Sequence, residues 1–314
     1  MKPEKKPYKT SYELPKDPRF AGEIRSSVAC SDKEILRLRE KLLNEITAPS
    51  HIISEILARF SELFLNKYLI FFSADPHNDL EMLTKSFRGD ISILMQLIKE
   101  LIEKWYLSII LQIPCLAKNR HRRGDFFDIL INLTIFSNTN NIYYTLHNLY
   151  GLTNNENERR LDRLMEILKD IRPENMEINP VFALNKCEEP YLSVVNLLNE
   201  QSSHISAYEK FIIICRLKDE IMESIERYWE EWDPNIPAQK LMIDSDQLLT
   251  IVTYCIVKTR NCKLISYLAF IREFMGRNQL ENSYYFTTYD AAMNYLLKLE
   301  EDDLLKIAEK KLVI

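Results

Sequence analysis

The spacing of apolar residues along the chain is that of amphipathic α-helices. Between positions 51 and 72, apolar side chains recur three or four residues apart, at Ile52, Ile53, Ile56, Leu57, Phe60, Leu63 and Phe64. This periodicity places them on one face of a helix. Similar patterns predict helices at 80–113, 126–136, 141–150, 155–171, 192–199, 204–229, 245–259, 263–275 and 288–299, with a frayed one from Asp302. No strand pair is predicted, so we expect an all-α multi-helix bundle.

Helix-boundary signals divide these stretches. Ser31 and Glu34 have the spacing of a capping box, which begins the first helix. The sequence Asp75-Pro76-His77-Asn78 is expected to break the chain between the next two helices. Pro114 is expected to end the helix at 80–113, because proline cannot continue a helix. Gly151 is expected to be the C-cap of the helix at 141–150.

The composition excludes several functional classes. The 314 residues include only 5 glycines, so few glycine-rich phosphate or dinucleotide loops can form. Common enzyme motifs are missing from the sequence, and the six scattered cysteines form no CxxC pair. We therefore expect no metal, no cofactor and no covalent chemistry. A net charge of −5 also argues against nucleic-acid binding.

The cysteines and apolar runs bear on location. Unpaired cysteines fit reduced thiols in the cytosol. The longest apolar run, 106–117, is interrupted by Gln112 and Pro114 and is too short to span a bilayer. The one dense basic cluster is at the end of this run and comprises Lys118, Arg120, His121, Arg122 and Arg123. It is interpreted as a solvated loop, with peripheral contact to an acidic lipid or partner surface as the alternative.

Residues 244–258 have a clear helix start. Asp244 is a suitable N-cap, and Gln247, three residues later, is expected to complete a capping box. Asp246 falls in the first turn, where the helix macrodipole favours a carboxylate. On spacing alone, the simplest interpretation of Asp246 is helix-start electrostatics.

A second distinctive segment is at 283–292. Tyr284, Tyr285 and Phe286 are expected to lie just before a helix that Thr287 caps, with Asp290 as the acidic member of the box. Such aromatics either pack the loop onto the core or form an exposed patch for a partner. The sequence alone leaves both interpretations open.

Together these segments resemble a known family. The order is Asp-x-Leu-Leu from Asp246, Tyr254-x-x-x-Lys258, a Leu264-x-Ser-x-Leu-x-Phe-Ile-x-x-Phe274 stretch, then Tyr284-Tyr-Phe-Thr287. It is similar to the vacuolar-protein-sorting-nine (VPS-nine) domain of exchange factors for Rab-five-type GTPases. The resemblance is strong over 245–300 and weaker upstream, at Leu149-Tyr150 and 155–171. It suggests an exchange module at 125–314, with an N-terminal helical region at 21–124 ahead of it. Residues 1–20 are rich in lysine and proline and are expected to be a flexible arm.

The resemblance implies roles for individual residues. Asp246 corresponds to an aspartate finger that pairs with the phosphate-loop lysine of the GTPase and repels phosphate and Mg²⁺. Tyr284 and Thr287 correspond to residues that contact the switch regions. The partner-binding groove would include Leu248, Leu249, Thr250, Val252 and Tyr285, some of them core residues. The chain departs from the family at several points. Thr250 replaces a usual proline, Gln247 replaces a second acid, Arg260-Asn261-Cys262 replaces an Asn-Pro-Pro turn, and the loop before Tyr284 is shorter and lacks the usual Gly-Glu.

The implied function is promotion of GDP release from a Rab-five-type GTPase. The protein would be cytoplasmic and recruited to early endosomes. A helical adaptor that binds a Rab GTPase or another trafficking partner without accelerating exchange is the main alternative. A lipid-binding helical module that uses the 118–123 cluster is the third.

Overall fold

The computed structural model describes residues 32–73, 80–138, 140–259, 261, 263–281 and 283–300. Over these residues the secondary structure is helical, without strands, which confirms the all-α prediction. The predicted arm at 1–20, the cap residue Ser31, the break at 75–78 and the segment from Asp302 lie outside the described residues.

The described residues form thirteen α-helices. In chain order they are α1 Asp32–Ile46, α2 Ile52–Ser73, α3 Leu80–Ile110, α4 Pro114–Lys118, α5 Arg120–Asn138, α6 Asn140–Thr153, α7 Asn155–Ile167, α8 Leu192–Asn199, α9 Ala207–Trp232, α10 Ser245–Lys258, α11 Leu264–Phe274, α12 Arg277–Glu281 and α13 Tyr284–Lys298. Short 3-10 turns occupy Pro173–Met176, Glu200–Ser203 and Ala238–Leu241.

An N-terminal layer is formed by α1, α2 and α3, which pack on α5 and α6. The longest helix, α3, buries one face through residues such as Phe87, Ile91, Ile98 and Ile102. Polar contacts join α3 to the other two helices. The Tyr68 hydroxyl of α2 donates to Asp90 of α3 over 2.7 Å. The core of this layer is continuous with that of the rest of the chain.

Helix α9 is the centre of the C-terminal half. It begins with a complete capping box, because Ser206 accepts from the Glu209 backbone while the Glu209 carboxylate accepts from Ser206. It packs on α5, α8, α11 and α13, and α10 packs in turn on α13. Helix α9 therefore supports α11 and α13 directly, and α10 is supported through α13.

Three boundary predictions are wrong. Pro114 begins a helix and does not end one. Helix α3 ends at Ile110, and Pro114 occupies the first turn of α4, where the missing N–H costs nothing. The basic cluster is not a loop, because Lys118 ends α4 and Arg120 begins α5. Gly151 is not a C-cap but lies within α6, which continues to Thr153. Helix α12 was not predicted, since five residues carry too little periodicity.

Candidate functional site

The start of α10 is built by Asp244, as the sequence predicts. Its extended backbone (φ −81°, ψ 173°) ends the preceding segment. Its carboxylate accepts a hydrogen bond from the Gln247 N–H over 2.7 Å. This bond satisfies one of the N–H groups that a helix leaves free at its first turn.

The second half of the predicted capping box is wrong. The Gln247 side chain does not return to Asp244; its Oε1 accepts from the backbone N–H of Asn179 over 2.8 Å. The amide thus joins the first turn of α10 to the segment that follows the 3-10 turn at Pro173–Met176. A sequence pattern could not show this bond, since Asn179 is 68 positions away.

Asp246 lies in the first turn of α10 with an exposed side chain. Within the described part of the chain, its carboxylate has no hydrogen-bond or ion-pair partner. Its backbone carbonyl accepts from the Thr250 hydroxyl over 2.9 Å. The family's usual proline at position 250 would have neither this hydroxyl nor the helical N–H. The carboxylate is thus presented to solvent on a well-anchored helical turn, at the end where the macrodipole favours an anion.

The other α10 residues named from the family pattern differ in exposure. Leu248 and Val252 are buried, with 4% and 3% of their surface exposed. Leu249 and Thr250 are half-buried. In this conformation Leu248 and Val252 are core residues, whereas Leu249 and Thr250 reach the surface.

The start of α13 differs from the prediction. Ser283 is the N-cap and accepts from the Phe286 N–H over 3.2 Å, so the helix begins at Tyr284 rather than 288. Thr287 is therefore not a cap; it is exposed in the first helical turn, and its hydroxyl donates to the Ser283 carbonyl. Asp290 is not a capping-box member either, because it pairs with Arg272 of α11.

The aromatic residues at this helix start are divided between core and surface. Phe286 is buried against Phe211 of α9, with ring centroids 6.0 Å apart. Tyr284 and Tyr285 are half-buried. The Lys218 ammonium lies 5.6 Å from the centroid of the Tyr285 ring. Each of the two interpretations of this segment thus fits part of it: Phe286 anchors the turn, and the two tyrosines reach the surface.

The predicted site residues are carried by two neighbouring helices. Asp246 is in the first turn of α10, Tyr284 and Thr287 are in the first turn of α13, and the two helices pack directly on each other. Both turns begin with a side-chain cap, from Asp244 and from Ser283. The arrangement offers an exposed anion, an exposed hydroxyl and partly exposed aromatic rings on a rigid support.

A buried polar contact that the sequence did not suggest fixes the start of α11, a helix that lies next to α7 and α9. Glu158 of α7 is 2% exposed, and its Oε1 accepts from the Ser266 N–H (2.8 Å) and hydroxyl (2.7 Å) at the start of α11. Burial raises the pKa of Glu158, and the Ser266 bonds oppose that rise. This carboxylate fills the same role for α11 that capping side chains fill for α10 and α13.

Lys210 is a second buried polar residue, and it lies on α9. It is fully buried, and its ammonium donates to the Gln201 carbonyl and lies 3.9 Å from the Tyr267 ring centroid. Burial lowers the pKa of Lys210 to about 7. The sequence could have indicated that Lys210 is buried, because it lies on the apolar face of α9 between Ala207 and Ile213.

The described residues contain no group of three or more histidine, cysteine or acidic side chains placed to hold a metal ion. None of the helices over the described ranges is both long and apolar enough to cross a membrane.

Comparison with known proteins agrees with the resemblance drawn from the residues. Residues 192–301 match the family model described as the vacuolar sorting protein 9 (VPS9) domain, the family called VPS-nine above. The match contains α8 to α13 and hence Asp246, Tyr284 and Thr287. No curated protein matches the chain. A VPS9 domain indicates, in general terms, nucleotide exchange on Rab GTPases.

Proposed function

We propose that the protein promotes GDP release from a Rab-five-type GTPase and that Asp246 is the aspartate finger. The observation that supports this most directly is the exposed Asp246 carboxylate, which has no partner among the described residues. A carboxylate already held in an internal ion pair would have to break that pair before it could bind the lysine of a GTPase. Asp246 has no such contact to lose.

The energetics suit this role. An exchange factor must stabilise the nucleotide-free GTPase relative to the nucleotide-bound one. A thousandfold faster release requires about 4 kcal/mol of such differential stabilisation. Truncation of one partner in a desolvated carboxylate–lysine contact costs about 2–5 kcal/mol. Asp246 alone could therefore supply much of the effect, with the surrounding surface giving specificity.

We assign Tyr284 and Thr287 to the contact with the switch regions. Thr287 is exposed and Tyr284 is half-buried, one helical turn apart on α13. Because α13 packs on α10, we propose that one bound GTPase contacts both helices. Tyr285, Leu249 and Thr250 are half-buried, and we assign them to the same interface. We place the protein in the cytoplasm, with recruitment to early endosomes where such a GTPase resides.

The decisive experiment measures release of a fluorescent GDP analogue from a panel of Rab GTPases that includes early-endosomal members. Wild-type protein should accelerate release from a Rab-five-type member, and Asp246→Ala should reduce that acceleration on the order of a hundredfold. Asp246→Asn should fail similarly, because it keeps the shape but removes the charge. Glu230→Ala, at an exposed carboxylate near the end of α9, is the matched control and should leave exchange unchanged.

The alternatives give distinguishable results. A non-catalytic adaptor would bind a Rab GTPase with equal affinity in wild type and Asp246→Ala, and it would not accelerate release. Acceleration that survives Asp246→Ala would refute the assigned finger while leaving exchange intact. Acceleration of only Rab GTPases outside the early-endosomal group would refute the proposed substrate class.

A further inference from the structure

The outer face of α3 carries an unusual row of exposed apolar residues. Ile93 is 70% exposed, Leu97 41%, Leu107 37% and Leu111, one residue beyond the helix, 39%. The Leu111 N–H still donates to the Leu107 carbonyl over 2.9 Å, so the helical path continues to it. At 100° per residue these side chains lie within about 80° of one another around the axis. Exposed apolar residues grouped on one face of a helix are typical of an interaction surface.

Two charged side chains lie in the middle of the row. Glu100 and Lys104 are exposed and point in the same direction as the four apolar residues. Glu100 accepts from the Gln96 side chain over 2.7 Å. Neither Glu100 nor Lys104 is in an ion pair with another of the described residues. We call the set Ile93, Leu97, Glu100, Lys104, Leu107 and Leu111 the α3 stripe.

The α3 stripe is symmetric about position 102. Ile93 and Leu111 are nine positions on either side of it, Leu97 and Leu107 five, and Glu100 and Lys104 two. If two copies of α3 packed antiparallel about a twofold axis at this level, apolar residues would face apolar residues. Each glutamate would face a lysine of the other copy. A twofold interface requires this self-complementarity, in which residue i meets j and j meets i.

We propose that the α3 stripe is a homodimer interface, in which two copies of the protein pack antiparallel along α3. The occupant is a second copy because the stripe is complementary to itself: in the antiparallel register each Glu100 faces a Lys104 and apolar residues face apolar residues. A membrane-binding face would instead carry an excess of basic residues, whereas the stripe has one acid and one base. The four exposed apolar side chains would supply the affinity, and the two Glu100–Lys104 pairs would set the register and direction.

Disulfide trapping tests the register. In the proposed dimer, Leu97 of each copy faces Leu107 of the other, so L97C/L107C should form a covalent dimer on oxidation. The two positions are about 15 Å apart along one helix, too far for a bond within one chain. Either single variant should not crosslink, because like positions of the two copies are also about 15 Å apart axially. The single variants also control for crosslinks formed through the natural cysteines. Crosslinking by L97C alone would overturn the antiparallel arrangement.

Sedimentation over a concentration series tests the association itself. Wild type should approach twice the monomer mass of 37.2 kDa, and Ile93→Glu should remain monomeric. Ile167→Glu, at another exposed isoleucine (48% exposed) on α7, should dimerise like wild type. Glu100→Lys and Lys104→Glu should each weaken the dimer at least tenfold, and the double variant E100K/K104E should restore it.

Three outcomes would refute the proposal. One is a wild type that is monomeric at every concentration. Another is a dimer that Ile93→Glu leaves intact, which would place the interface elsewhere. The third is a monomer that sediments with vesicles of phosphatidylcholine and phosphatidylserine and loses that binding in Ile93→Glu, which would make the stripe a membrane surface. Because no GTPase enters these measurements, their result is independent of the proposed exchange activity.

Discussion

Replacing Lys210 with methionine is expected to change how stability depends on pH. Lys210 is fully buried between the rings of Tyr267 and Tyr143, and burial lowers its pKa from 10.5 to about 7. The folded chain therefore binds this proton less tightly than the unfolded chain does. It follows that the free energy of unfolding rises with pH from about 7 towards 10.5 and loses this contribution as pH falls.

The size of the effect follows from the two pKa values. Linkage gives up to about 1.4 kcal/mol per pH unit between them. At pH 7 Lys210 is half protonated in the folded chain. The free energy of unfolding therefore rises by about 2 kcal/mol between pH 7 and pH 9. Lys210→Met removes the titrating group and keeps most of the apolar stem. The variant should lack this rise, while all other titrations remain common to both proteins.

The assay is urea unfolding of wild type and Lys210→Met at pH 7, 8 and 9, with the difference in unfolding free energy plotted against pH. Lys218→Met on the same helix, where the side chain is only half-buried, is the matched control and should follow wild type. A difference that stays constant across the range would refute the reasoning. It would mean that Lys210 keeps its charge in the folded chain, held by the faces of Tyr267 and Tyr143.

Two further predictions concern the helix starts. Glu158→Ala should lower the free energy of unfolding by about 2–3 kcal/mol, because it leaves the buried N–H and hydroxyl of Ser266 without an acceptor. Glu158→Gln retains an acceptor and should cost clearly less; equal losses in thermal unfolding would contradict this account. Asp244→Ala should lose about 1 kcal/mol through the missing cap to Gln247. Glu230→Ala, at an exposed carboxylate on α9, is the comparison, and an equal loss there would show that the cap contributes nothing.

Periodicity predicted the interior of most helices, and it failed where the deciding contact is distant in sequence. The bounds of α8 agree with the prediction at 192–199. The start of α13 does not, because Ser283 rather than Thr287 caps it, and Ser283 also lies 3.6 Å from the Cys215 sulfur of α9. The local pattern favoured a cap at Thr287 followed by an acid. In the structure the cap is Ser283, four residues earlier, and Asp290 pairs with Arg272 instead.

The candidate site was predictable in part for a similar reason. Asp246 and its N-cap are adjacent in sequence, so their relation is local and could be inferred. The bond from Gln247 to Asn179 and the burial of Leu248 depend on how distant segments pack. The division of the Tyr284–Phe286 aromatics between core and surface has the same origin, because it is Phe286 that packs on Phe211 of the distant helix α9.

The first turn of α13 is held by α9 at several points, through Phe211, Cys215 and Lys218. A loop-borne binding surface would have to reorganise on contact and would lose affinity to that ordering. Here the surface is already in place before a partner arrives. In the proposed complex the conformational change would therefore fall on the GTPase, whose switch segments would have to adapt to a fixed template. Amide hydrogen exchange should then change in the GTPase far more than in α9 or α13.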